Sequence, residues 1–189
     1  FHEMIDSGRL SVQDLYGEET APLNPNDFDA SLQEILHLIT SVGYAPTYPG
    51  VFAEKSGSTI AKYMDNTRGG HFEELKESDC EDDTKNKAWQ KGQCSVPPNG
   101  EYPKYAWYTY LDATCDYACM ITEYFYWTLT AMLAAQSDYT RCKNITNEWT
   151  LCTDEQVKSS DPDIYSLLAN PEYALPSKLP DGLYTYSLR

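Results

Sequence analysis

The stretch DASLQEILHLITSVGY, residues 29–44, decides how the chain is read. Leu32, Ile35, Leu36, Ile39 and Val42 recur at spacings of three and four, the period of a helix with one apolar face. Asp27 or Asp29 is placed to cap its start, and Gly43 to stop it. Gln33, Glu34 and His37 ride on the same helix. Gln33 and His37, four apart, share a face. Glu34 and His37, three apart, can also meet as surface neighbours through a hydrogen bond or charge contact.

Outward from this helix the pattern stays helical. Ser58 can cap a second helix over TIAKYMDNTR, ending at the Gly69-Gly70 pair. The longest helix is predicted from about Asp116 to Gln136, and its apolar residues run nearly all the way round, so it is expected to be the central buried one. Glu123 sits in it among apolar neighbours. Shorter helices are predicted at TDEQVKSS and around DIYSLLA, with a short strand at AWYTY. Residues 1–26 read as an irregular N-terminal arm. Residues 71–104 read as a long acidic, then Pro/Gly-rich loop fastened by Cys80 and Cys94, and 137–189 as a cysteine-bracketed segment and tail. The expectation is a single domain over 1–189, mainly α, with long disulfide-fastened loops and little sheet.

Composition narrows the function. Of 189 residues 41% are hydrophobic and 13% aromatic, with 16 tyrosines and 4 tryptophans, so aromatic rings must supply much of the core. The formal charge of −15 would repel a phosphate backbone and an anionic lipid surface, which argues against nucleic acid. No apolar run approaches the roughly 20 residues of a membrane span, so no membrane insertion is expected. Cys80, Cys94, Cys115, Cys119, Cys142 and Cys152 are even in number and lack C-x-x-C spacing, which favours disulfides over a zinc ribbon and leaves the pairing open. Asn144-Ile145-Thr146 is an N-glycosylation sequon in a polar stretch. Cysteines, sequon and acidity together predict a secreted, extracellular protein, and a chain opening at Phe1 without an apolar leader reads as a processed product.

Gln33-Glu34-Ile35-Leu36-His37 stands where a zinc helix carries His-Glu-x-x-His. Glu123, in MITEYFYWTL, stands where the second helix of such a site supplies a glutamate. With YMDNTRGGHF and TCDYACMITEYFYW, the chain over 27–136 resembles a secreted branch of zincin-like (gluzincin-type) metallopeptidases. The resemblance implies zinc as cofactor, His37 and Glu123 as metal ligands, Glu34 as general base, and a peptide substrate. It also exposes a departure at Gln33, the degenerate ligand position. A neutral amide oxygen binds zinc poorly, so the resemblance implies a metallopeptidase homologue that is catalytically inactive and has a binding or structural role. The active zinc-dependent peptidase is the alternative. A direct Glu123–His37 contact is expected to survive loss of the metal, the imidazolium partly neutralising the carboxylate.

Other readings stay open at this stage. His2 and His71 are the remaining histidines and candidate replacement ligands. Glu123 can instead be satisfied by a tyrosine hydroxyl, by Arg68 or by a helix N-terminus. Glu77, Asp79, Glu81, Asp82 and Asp83 offer oxygens for calcium, without the register of an EF-hand. The tyrosine content also suits an extracellular assembly or matrix protein with a self-association surface, so a protein partner or a homo-oligomer is expected.

Overall fold

The computed structural model describes residues 31–72, 94–112 and 114–180. Among them the fold is mainly α, with one isolated antiparallel bridge and no sheet. The centre is α5, Tyr117–Met132, whose residues from Met120 to Ala131 are all buried. Asp116 caps it, its carboxylate accepting from the Cys119 amide at 2.8 Å. α1 (Ser31–Leu38), α4 (Thr59–Arg68), α7 (Asp154–Ser160) and α8 (Pro162–Leu168) pack on it. A helix buried on all sides must satisfy its own polar groups, and Thr128 and Thr130 donate to the carbonyls of Tyr124 and Tyr126 one turn back, at 2.8 and 2.6 Å.

The end of α5 differs from the sequence expectation. The helix stops at Met132 rather than near Gln136, because Ala134 turns left-handed at φ 65°. Gln136 then folds back into the core, its amide donating to Thr130 Oγ1 at 3.0 Å. A buried amide bonded to a buried hydroxyl fixes this corner more tightly than one more helical turn facing solvent would.

α4 follows its local signals. The Ser58 side chain accepts from the Ala61 amide at 3.2 Å, and Gly69 ends the helix at φ 86°. From α4, Thr67 Oγ1 donates to Asp161 Oδ2 at 2.7 Å; Tyr124 of α5 donates to the same oxygen at 2.8 Å and the Trp107 indole at 3.3 Å. One buried carboxylate oxygen thus joins α4, α5 and the start of α8. Arg68 is also fully buried. It donates to the Ser95 carbonyl and, at 2.9 Å, to the Tyr102 hydroxyl, with its guanidinium 5.0 Å from the Phe72 ring centre. This draws residues 94–97 into the interior, where the composition of 71–104 had suggested surface.

AWYTY forms a single bridge, Tyr108 to Trp149, instead of a strand. The Trp149 amide is already bonded to Ile145 O at 2.8 Å in the turn after α6 (Tyr139–Asn144), so the partner segment has little edge to offer. Tyr108, Tyr124 and Trp149 close the core here, with ring centres 5.7 to 6.2 Å apart. Cys115 pairs with Cys119 at the start of α5, and Cys142 with Cys152 across the turn after α6. Cys94 is disulfide-bonded as well, and Cys80 lies outside the described residues. Ahead of α7, Thr153 and Gln156 form a capping box.

Gly43 does not stop the first helix. α1 runs on as a π-helical turn, Ile39–Tyr44, then α2 (Ala45–Thr47) and, after Tyr48, α3 (Pro49–Phe52). Pro46 has no amide to give a regular α-turn, and the Ala45 amide reaches back five residues to Thr40 O.

Candidate functional site

α1 meets α5 through a polar line. Gln33 and His37, one turn apart, face α5, while Leu36 between them is buried. The Gln33 side-chain amide donates to Glu123 Oε1 at 2.9 Å and to Oε2 at 3.1 Å. His37 Nε2 lies 3.4 Å from Glu123 Oε1, and the His37 ring meets the Tyr126 ring edge-on at 6.1 Å. Of the four side chains that the resemblance put at one site, three, Gln33, His37 and Glu123, meet here, joined across ninety residues by α1–α5 packing. Tyr126 is the neighbour that reasoning left out. It stands three residues after Glu123 on the same helix, which was the available signal.

The apolar row that runs along α1 and into the π-helical turn after it does not behave as its period predicted. Leu36 is inside, but Ile35, Ile39 and Val42 are 47%, 40% and 49% exposed. The carboxylate of Glu123 decides this rotation. A buried carboxylate needs a donor more than three aliphatic side chains need full burial, and Gln33 supplies it.

Burial sets the charge states. Glu123 is pushed up to about 7, first by desolvation, then by the negative charges of Glu148, Glu34 and Asp112, against the lowering effect of the Gln33 hydrogen bond. His37 is pushed down to about 4 by desolvation. Its imidazole is therefore neutral near pH 7, and the 3.4 Å approach to Glu123 is not an ion pair. Here the sequence expectation needs correction: the contact exists, but no imidazolium neutralises the carboxylate. His37 Nε2 is buried and has no hydrogen-bond partner, and a protonated Glu123 is the group placed to donate to it.

The donor set fits zinc poorly. It holds one imidazole, one carboxylate and an amide whose nitrogen, the donor end, is turned onto the carboxylate. Among the described residues no three His, Cys, Asp or Glu side chains gather as a metal-binding group. Glu34 is half-buried on α1, near enough for its charge to raise the Glu123 pKa. His71 is committed elsewhere, with Nδ1 3.0 Å from Asp65 Oδ2, an oxygen that also accepts from the Tyr117 hydroxyl at 2.9 Å. Arg68 does not reach Glu123 by hydrogen bond; its partners are Ser95 and Tyr102. His2 and the calcium candidates Glu77, Asp79, Glu81, Asp82 and Asp83 lie outside the described residues.

A surface groove of 440 Å³ runs between Leu129, Met132, Leu168 and Leu175, and a smaller one of 230 Å³ lies at Tyr44, Tyr48 and Tyr173. Neither is lined by Gln33, His37 or Glu123. No helix among the described residues is long and apolar enough to cross a membrane. Asn144 is exposed at the end of α6, within the loop closed by Cys142 and Cys152.

No known protein family, curated protein or solved structure matches this chain. The site's chemistry therefore rests on its own residues. They offer a carboxyl group poised near neutrality, pinned on both oxygens by one amide and flanked by a neutral imidazole.

Proposed function

We propose that this is an extracellular, zincin-like protein without hydrolytic activity, whose role is to bind a protein partner. The observation that carries the reading is the Gln33 amide nitrogen on both oxygens of Glu123. In the resemblance that motivates it, a histidine stands at position 33 and a cation lies between that histidine, His37 and Glu123. Here an N–H₂ group takes the cation's electrostatic part, giving the carboxylate donors without an open coordination position. Both oxygens of Glu123 are engaged, and His37 is too weak a base to take a proton near pH 7. The pair holds α1 on α5.

The outward row of Ile35, Ile39 and Val42 supports binding as the role. These partly exposed aliphatic side chains, on α1 and the π-helical turn after it, offer apolar area that a partner could cover. Disulfides and a chain with charge −15 support the extracellular part of the reading.

The test is zinc affinity, by competition with a chelating dye, of the wild-type chain and of Gln33→His. The substitution should restore a second imidazole and tighten zinc binding on the order of 100-fold, with the wild-type chain silent in a peptidase assay. A wild-type chain that holds one zinc as tightly as the variant, and cleaves peptides, overturns the proposal. Molar mass in solution with and without chelator tells a second copy from a different partner.

A further inference from the structure

The sequon at Asn144 carries an inference that the cluster on α1 and α5 does not. Asn144 is the last residue of α6 and exposed. The next two residues are not in a relaxed loop. Ile145 is buried, its amide bonded to Arg141 O at 3.2 Å, and its carbonyl accepts from the amides of Glu148 and Trp149 at 2.9 and 2.8 Å. Thr146 is exposed, but its hydroxyl donates to Lys143 O at 3.0 Å. The whole turn is closed by Cys142–Cys152 and anchored by the fully buried Trp149. The amide that would be modified is accessible, while the threonine that must be read with it is folded into a helical turn.

The geometry points to N-glycosylation of Asn144 before this turn closes, that is, on the chain entering an oxidising compartment and ahead of the Cys142–Cys152 disulfide. The donor class is an oligosaccharide linked through a diphosphate to a lipid. The Asn144 Nδ2 attacks the anomeric carbon; the C–N bond forms, the anomeric C–O bond breaks, the lipid diphosphate leaves with the electron pair, and an amide proton passes to the transferase's base. An enzyme that must grip both the Asn144 amide and the Thr146 hydroxyl needs residues 144–146 extended. In the folded chain that would remove Ile145 from the core and break the turn bonded to its carbonyl. The finished protein is thus a poor acceptor and the nascent chain a good one.

This inference rests on the extracellular reading above, and the experiment separates the two. The full chain is expressed behind a cleavable secretory leader in animal cells. Intact mass is read with and without peptide N-glycosidase, and free thiols are counted by alkylation. In parallel the folded, unglycosylated, disulfide-closed chain is offered to detergent-permeabilised microsomes, before and after reduction, with a short unfolded sequon peptide as the positive control. The secreted chain should carry one glycan, absent from Asn144→Gln and from Thr146→Ala, and the folded chain should become an acceptor only after reduction. Closed disulfides with Asn144 unmodified overturn the inference and leave the extracellular reading standing. Free thiols throughout, with no glycan, overturn both. Equal modification of the folded chain before and after reduction overturns the order of events.

Discussion

One amide hydrogen-bond donor group, on Gln33, serves both oxygens of Glu123, at 2.9 and 3.1 Å, between helices ninety residues apart in sequence. It lowers the Glu123 pKa, whereas burial, Glu148, Glu34 and Asp112 all act the other way. Gln33→Ala should therefore move the Glu123 titration upward from about 7. It should also cost about 1–3 kcal/mol of stability above that pH, where the carboxylate is charged and has lost its donor. Carboxyl carbon chemical shifts followed against pH give the first quantity and urea melts the second. A downward shift would mean that Gln33 is not the group holding Glu123.

Glu123 and His37 act on stability in opposite directions. Glu123 rises from 4.5 to about 7 on folding, so the folded state holds the extra proton between those values and stability from this group falls as pH climbs through them. His37 drops from 6.5 to about 4, so the unfolded state holds the extra proton and stability from this group grows as pH climbs from about 4 to 6.5. Between about pH 5 and 6.5 the two slopes largely cancel. His37→Gln should unmask the Glu123 slope, losing about 2 kcal/mol relative to the wild type between pH 5 and 7. Glu123→Gln should gain a similar amount over the same interval. Chemical unfolding of the three proteins at several pH values checks both signs, and parallel curves for all three would refute the assignment.

Leu36 and Ile39 carry equal weight in the apolar period of residues 29–44 but not in the structure, where Leu36 is 5% exposed and Ile39, at the start of the π-helical turn, 40%. Leu36→Ala should cost about 2–4 kcal/mol and Ile39→Ser less than about 1 kcal/mol. If the row of Ile35, Ile39 and Val42 is the partner surface, Ile39→Ser should weaken partner binding with little effect on the unfolding midpoint. Equal losses of stability would return the row to the core.

Gly69 closes α4 at φ 86°, and a Cβ built there would lie 2.6 Å from Pro103 Cγ. Left-handed backbone costs a side chain about 1 kcal/mol, and the clash with a proline ring adds to it, so Gly69→Ala should lower stability by about 2–3 kcal/mol. Gly43→Ala meets nothing within 4 Å and is the control, with a change below about 1 kcal/mol. Thermal or urea unfolding of the pair decides.

Sequence alone determined the elements whose signals are local. Ser58 and Gly69 bound α4, Asp116 starts α5 and the helix expected at TDEQVKSS is α7, because a cap and its partner lie within a few residues of each other. The all-round apolar character of 117–132 marked it as central for a similar reason: every face needs burial wherever the neighbours come from. Gln33, His37 and Glu123 are grouped only by the resemblance to a zinc site, since no local spacing links residues ninety positions apart.

Tertiary structure decided the rest. Which face of α1 turns inward follows from the Glu123 carboxylate, since a buried charge needs a donor more than an aliphatic row needs cover. The same packing makes His37 neutral and Glu123 half-protonated near neutrality, since desolvation depends on what surrounds a group and is absent from a list of residues. Gln33 read as a lost ligand in the sequence. Only in three dimensions does it become the donor that holds the site together, because an amide's role is set by which of its ends meets the partner.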